Sequence, residues 1–416
     1  MTTVMPAHQL AAALQKLPAG PLGVAVSGGS DSLALMYMAA EWAHSDGRVL
    51  HVVTVDHCLR SEAAAEAAEV ARQAAALGLS HDTLKWAQAG AAGGNLMDAA
   101  RRARYQLMAK WATERGIGAV LLGHTRDDVT ETLLMRLARG AGVDGLSAMA
   151  SVKEVDGVRF HRPLLSVGRE ELRDVLRRGG IQWVDDPSNE NPQFERVRMR
   201  QALAGLSDQG VSIDQLAQSA QALGQARHAL NWAVAQFVGD HVDQIAGDLA
   251  IAAAPFADLP EELQRRLLTH ALLWINGQGY GPRGAELAQF RSSALNGQGA
   301  TLAGVRMTHR KGAIYLHREH AAVAGLRSDP TAVFDTRWQI TGPAAPDHHI
   351  APMGEAGLRS CPNWRDSLRP AAAVMADPAV WRNDQLISAP LVEAKQGWHG
   401  ELAPFCRDFG KWLVSR

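Results

Sequence analysis

Residues Leu22–Ser32 read LGVAVSGGSDS. The opening LGVAV is a short apolar run, as expected of a strand buried on both faces. Gly28 and Gly29 break it. Leu33, Met36, Tyr37 and Ala40 then recur at i, i+3, i+4 and i+7, so a helix starts near Asp31 or Ser32. The connecting Ser27-Gly28-Gly29-Ser30-Asp31-Ser32 suits an anion. Its two glycines let the backbone turn sharply and point N–H groups inward. The helix adds its positive end, and the serine hydroxyls add donors. A phosphate or pyrophosphate is the fitting occupant. Asp31 is out of place in a pure phosphate cradle but makes sense as a ligand of the Mg²⁺ that accompanies a nucleotide. The bland alternative is a Gly-rich turn followed by a Ser/Asp helix cap. It is the weaker reading for the whole hexapeptide between strand and helix.

Working outward, Val49–Val55 reads as a second strand, followed by an alanine-rich helix from about Glu62 to Leu77. Asp82–Trp86 is a third strand, Asn95–Arg115 a helix and Ala119–Leu122 a fourth strand, with a helix from about Asp127 to Arg139. This alternation predicts an α/β fold: a parallel sheet with helices on both faces. Ligands of such sheets sit at the carboxyl ends of the strands. The loops at Ser27–Ser32, Asp56–Arg60 and Gly123–Asp128 would share that edge.

The chain has 416 residues, 47% hydrophobic and 20% charged, so more than one domain with a sizeable core is expected. We divide it into 1–206, the α/β domain, then 207–325, mostly helical with a small hairpin, and 326–416, a small α+β C-terminal region. Within these, residues 211–275 read as helices, 299–318 as a hairpin turning at Lys311-Gly312, and 328–370 as a Pro- and Gly-containing linker or small domain. Forty-two basic residues nearly cancel 43 acidic ones, which excludes a histone-like or polybasic-tail protein. Cys58, Cys361 and Cys406 lie far apart without a CxxC, which argues against a disulfide scaffold, a zinc site or an iron–sulfur cluster. With no membrane-length apolar run and no signal layout, a cytoplasmic protein is expected, and a homodimer is left open.

Two rival phosphate motifs fail. No GxxxxGK[ST] occurs, and Gly140-Ala141-Gly142-Val143-Asp144-Gly145 follows a helix instead of a strand, so it reads as a helix stop. The hexapeptide instead resembles the PP-loop, SGGxDS, of the N-type ATP pyrophosphatases. That resemblance implies ATP cleavage between the α- and β-phosphates with AMP passed to an acceptor oxygen. Further blocks select the acceptor: Asp56-His57-Cys58-Leu59-Arg60, Asn95–Tyr105 (NLMDAARRARY), His124–Thr132 (HTRDDVTET), Arg162-Pro163-Leu164-Leu165 and Trp183–Asn189 (WVDDPSN). Together they resemble the tRNA(Ile)-lysidine synthetase family, densely over residues 20–203, weakly near 283–319 and little beyond about 330. What this implies is a ligase. ATP adenylates C2–O of the wobble cytidine of a CAU-anticodon isoleucine tRNA, and the ε-amine of free L-lysine then displaces AMP. The product, lysidine, changes the codon read from AUG to AUA and the amino acid from methionine to isoleucine. The implied partners are tRNA(Ile), L-lysine and ATP with Mg²⁺, without a membrane. The alternatives are another PP-loop enzyme, a tRNA thiolase or amide ligase, or a non-catalytic nucleotide sensor.

The residue types bear on that chemistry. Asp127, Asp128 and Glu131 open one helix, and three carboxylates beside a phosphate loop repel unless a cation intervenes. A lysine amine or a metal ion is such a cation; the bland reading is favourable placement at a helix dipole. By resemblance, Asp128 and Glu131 hold the lysine, and His124 contacts it or the nucleotide. Arg101 and Arg104 share a helix face above Tyr105, and the resemblance favours Arg104 as the group that meets charge on adenylation. Arg196 is expected to contact ATP or acceptor, although Val197 stands where the family pattern has Asn. The expected catalytic set is therefore Asp31, Arg104, His124, Asp128 and Glu131, with Ser27 through Ser32, Asp56 and Arg196 binding ATP and Asp31 also the metal. His57 more often reads as structural at a strand end, and Cys58 as inert. Basic surpluses from Arg101 to Arg139 and from Arg283 to Glu319 mark where the tRNA backbone would lie, unless they are ordinary surfaces.

Overall fold

In the computed structural model β1, Leu22–Ala25, is buried at every position and lies in the middle of a six-stranded sheet. The structure describes residues 6–56, 58, 63–86, 96–184, 193–277, 281–282, 284–395 and 397–414. The chain divides between Arg227 and His228 into two compact units.

In the first unit the elements after β1 run α2 (Ser30–Asp46), β2 (Leu50–Asp56), α3 (Ala63–Ala76), β3 (Ser80–Lys85), α4 (Leu96–Glu114), β4 (Ala119–Leu122) and α5 (Arg126–Leu137), with α1 (Pro6–Leu14) preceding them. The short α6 (Val143–Leu146), β5 (Val152–Val155), β6 (Val158–His161), α7 (Arg169–Arg178) and α8 (Glu195–Asp208) follow, and α9 (Ile213–His241) contains the division. The sheet order is β3-β2-β1-β4-β6-β5. The α/β expectation holds, and the four strands read from the sequence are there within a few residues. β1 pairs in parallel with both β2 and β4, so the order reverses at β1 and opens a crevice at the strands' carboxyl ends. Leu33, Met36, Ala39 and Ala43 of α2 pack one face of the sheet with Leu172 and Leu176 of α7. Tyr105, Met108, Ala109 and Ala112 of α4 cover the other. Gly23 admits that second layer: a Cβ there would stand 2.9 Å from the Trp111 ring.

The sheet is not wholly parallel. β5 and β6 form an antiparallel hairpin through Asp156 and Gly157, both at positive φ (50° and 78°). That two-residue Asp-Gly turn joins only antiparallel strands. The exposed Lys153 and Glu154 keep the outer edge soluble. The rejected Gly140–Gly145 run ends α5 and turns into α6, with Gly140 at φ 67°.

Residues 211–275, most of which belong to the second unit, are not purely helical as expected. After α9 come β7 (Val242–Ile245), β8 (Asp248–Ala252), α10 (Ala253–Asp258) and α11 (Glu261–Asn276). With α12 (Gly284–Leu295), β9 (Ala300–Leu302), β10 (Val305–Arg310) and β11 (Ala313–Arg318) they build a five-stranded antiparallel sheet, β7-β8-β11-β10-β9, against helices. The expected turn at Lys311-Gly312 is present, both residues at positive φ. Residues 328–370 are no bare linker: Phe334, Trp338, Ile340 and Ile350 join the core of this unit. Arg369 is buried between Asp248, at 2.8 Å, and Asp377. Among the described residues no helix is long and apolar enough to cross a membrane.

Candidate active site

The crevice beside β1 is floored by the hexapeptide. Gly28 takes φ 86°, the left-handed region open to glycine, and Gly29 is the extended N-cap of α2. Ser32 Oγ donates to Gly29 O at 3.0 Å and accepts from Ser27 N at 3.1 Å, which closes the loop on itself. The first amides of α2 face the mouth of this turn, with no carbonyl one turn back to receive most of them. Gly123 lets the neighbouring strand end approach: a Cβ there would lie 2.9 Å from Ser32 Cα and 3.0 Å from Ser32 N.

A cleft of about 860 Å³ opens over the loop, lined by Gly29–Ser32, Arg104, His124, Asp127, Asp128, Arg169, Arg196 and Arg200. A hollow of about 270 Å³ beside it shares Ser27 and Arg104 and is walled by Val26, Val53, Val55, Asp56 and Met108. A flat base fits the hollow; a chain of phosphates fits the cleft. Asp56 turns partly inward for backbone duty, accepting from Cys58 N at 2.8 Å. His57, Leu59, Arg60, Asn95 and residues 185–189 of the quoted blocks lie outside the described residues.

The acidic cluster sits at the start of α5. Thr125 caps the helix, accepting from Asp128 N, and Asp128 Oδ2 accepts from Thr125 N at 2.9 Å. Asp128 Oδ2 is thus spent on the cap, while Oδ1 stands 3.6 Å from Arg169 Nη2 and 4.0 Å from Arg196 Nη1. Asp127 accepts from Arg169 N at 2.8 Å and so caps α7. Glu131, one turn further, is fully buried.

The cation that reconciles these carboxylates is built into the protein, which the sequence reading did not foresee. Arg169 Nε donates to Asp31 Oδ2 at 3.1 Å and Nη1 to Glu131 Oε1 at 3.2 Å, with Nη2 3.6 Å from Asp128 Oδ1. Arg200 Nε donates to the same Glu131 oxygen at 2.6 Å, and Arg196 stands 4.0 Å from Asp128. Burial works against the charge of Arg169, but Asp31, Glu131 and Asp128 outweigh it and raise its pKa. Burial also pushes the Asp31 carboxyl up, with Arg169 pulling it back down. A signal existed: an arginine at the first position of a helix opposes the dipole, so its side chain needs a reason to be there.

On the facing wall Arg104 is half-buried among Arg101, Arg162 and Arg196, and burial followed by those positive neighbours lowers its pKa against the pull of Tyr105. Such a guanidinium is primed for an anion. Tyr105 beneath is buried edge-on to Phe160 at 4.9 Å and accepts from Arg162 Nη2 at 3.0 Å. His124 is pushed down to about 4 by burial, partly offset by Asp128, and Nδ1 has no hydrogen-bond partner among the described residues. It is neutral near pH 7.

The expected residues Ser27, Gly29 through Ser32, Arg104, His124, Asp128 and Arg196 therefore line one cleft, with Gly28 in the turn beneath, Glu131 bound to two of its arginines and Asp56 in the adjoining hollow. Among the described residues no three His, Cys, Asp or Glu side chains gather as a metal cage. Asp31 alone beside a phosphate cradle suits Mg²⁺, which binds one or two carboxylates and takes its remaining ligands from phosphates and water.

The PP-loop domain family matches residues 3–206. A tRNA(Ile)-lysidine synthase of Ruegeria pomeroyi is 44% identical over 409 residues, covering 98% of this chain and 97% of that protein. The chain belongs to the tRNA(Ile)-lysidine synthase family. The lysidine synthase of Bradyrhizobium diazoefficiens is 46% identical over 282 residues, 66% of this chain and 77% of its own, and that of Hyphomonas neptunium 40% over 308, 72% and 82%. The Ruegeria lysidine synthase matches almost to the end, so the family likeness extends past residue 330, where no motif is legible by eye. Like its relatives in this family, the chain is a PP-loop enzyme that uses ATP.

Proposed function

We propose that this chain ligates L-lysine to C2 of the wobble cytidine of the CAU-anticodon tRNA(Ile), consuming ATP and releasing pyrophosphate and AMP. The observation that carries the reading is the meeting, in one cleft, of a phosphate cradle, an arginine wall and Asp128, with the buried Glu131 behind it bonded to the cleft's Arg169 and Arg200. A phosphate cradle alone serves any ATP enzyme. The acidic pair adds a seat for an ammonium.

In this reading the loop and the amides of α2 hold the β- and γ-phosphates. Asp31 holds the Mg²⁺, which supplies charge neutralisation for the departing pyrophosphate. Arg104 meets the charge on the α-phosphate as cytidine O2 attacks and pyrophosphate leaves. The lysine ε-ammonium sits against Asp128 and Glu131, gives one of these carboxylates a proton, and its lone pair forms the bond to C2 while C2–O breaks and AMP departs. Neutral His124 adds no repulsion to an incoming ammonium. Arg101, Arg136, Arg139 and Arg227 lie close enough together for their charges to act on Arg136, and we assign them to tRNA phosphates. Residues 207–325 and 326–416 are candidates for further tRNA contacts. The reaction belongs in the cytoplasm, where tRNA, ATP and lysine meet.

The test is mass analysis of nucleosides from CAU-anticodon isoleucine tRNA incubated with the protein, ATP and labelled lysine. Lysidine is expected, with pyrophosphate release that requires tRNA. Release with a small amide acceptor instead would indicate an amide ligase, and no release a nucleotide sensor.

A further inference from the structure

Arg169 is the cleft cation that meets three carboxylates, and the chemistry above gives it no task. Its side chain is 17% exposed and touches carboxylates of two elements: Asp31 of the phosphate loop and Asp128 and Glu131 of α5. One cation therefore spans the nucleotide half and the amino-acid half. It also lies where the ε-ammonium of lysine would sit.

Charge balance makes this consequential. Three carboxylates, Asp31, Asp128 and Glu131, already face Arg169 and Arg200, with Arg196 at 4.0 Å. An added ammonium would have to share Asp128 and Glu131 with the guanidinium groups already on them, which is unfavourable unless a cation leaves or an anion arrives. A triphosphate in the adjoining loop is such an anion, and the Mg²⁺ that comes with it competes for Asp31.

We propose that Arg169 is a positioning residue that couples the two substrate sites, closing Asp128 and Glu131 while the phosphate loop is empty and turning to the phosphates when magnesium nucleotide binds, so that the acidic pair becomes free for lysine. The proposal rests on the functional reading above. The rival is a brace that ties α7 to α2 and α5 and leaves the two substrates independent.

The experiment is calorimetric titration of lysine into the full chain without tRNA. It is done with and without Mg²⁺ and an ATP analogue bearing a methylene between the α- and β-phosphates, so that nothing turns over. In the unmodified protein lysine is expected to bind at least about fivefold tighter with the analogue, the lower end of ordinary coupling. Reciprocity requires lysine to tighten the analogue by the same factor. In Arg169→Gln the resident cation is gone: lysine should bind tighter without nucleotide and respond to the analogue less than about twofold. Arg169→Lys keeps the charge but cannot span three carboxylates. It should also lose most of the coupling, and it replaces the glutamine variant if circular dichroism shows that one unfolded. Lysine affinity independent of nucleotide in the unmodified protein, or full coupling retained in the variants, overturns the proposal. Lysine that binds in neither state overturns the reading of the site and the coupling with it, whereas equal binding in both states overturns the coupling alone.

Discussion

Glu131→Gln separates the two tasks of the buried carboxylate that lies behind the cleft's arginines. Glu131 is 0% exposed and receives Arg200 at 2.6 Å and Arg169 at 3.2 Å. Glutamine keeps the size and one acceptor oxygen, loses the charge and turns an amide NH₂ toward two guanidinium groups. Removing one partner of a buried ion pair costs about 3–5 kcal/mol. The lower end, roughly 3 kcal/mol, applies here because Arg200 is 33% exposed and Arg169 keeps Asp31. The substrate effect is separate. A hydrogen bond from an ammonium to a carboxylate contributes about 1.5–3 kcal/mol, which is roughly tenfold to 150-fold in the KM for lysine. Among the described residues Glu131 makes no direct hydrogen bond to the phosphate loop and reaches it only through Arg169, which it shares with Asp31, so the KM for ATP should change less than the KM for lysine. The assay is labelled-lysine incorporation into tRNA, with lysine varied at saturating ATP and then the reverse, well below the variant's melting temperature. Equal rises in both KM values would refute the ammonium seat and leave Glu131 as a brace. An unchanged KM for lysine would do the same.

Three further outcomes are expected. Asp31→Ala should cut pyrophosphate release by about a hundredfold or more while tRNA retention on a filter stays unchanged; loss of retention would contradict its assignment to the nucleotide. Gly123→Ala puts a methyl 2.9 Å from Ser32 Cα, so the loop must shift at a cost of about 1–3 kcal/mol; binding of the ATP analogue should weaken, and unchanged binding would show that the loop tolerates the push. His124 has its pKa depressed from 6.5 to about 4, so the unfolded chain binds more protons in that window and stability falls as pH drops through it. At pH 5 this costs the unmodified protein roughly 2 kcal/mol relative to pH 7.5, and His124→Gln should escape it in urea unfolding; parallel losses in both proteins would count against the burial argument.

What the sequence by itself determined was local. A strand that ends in two glycines, the second of them the N-cap of the following helix, is settled within eleven residues, because apolar period, glycine freedom and helix-end amides all act over a few peptide units. The acidic start of α5 and the arginine wall of α4 are legible for the same reason. Tertiary structure decided what lies far apart in sequence. β8 is unrecognisable in an alanine-rich stretch because its partner is β11, where Leu249 faces Leu316. The β5–β6 hairpin broke the parallel pattern through one Asp-Gly turn. Arg169 lies 138 residues from Asp31 and 38 from Glu131, and only the crossovers that lay α7 beside α2 bring that guanidinium to both. Sequence spacing marks which groups need a counter-charge; which chain segment supplies it depends on how the layers close.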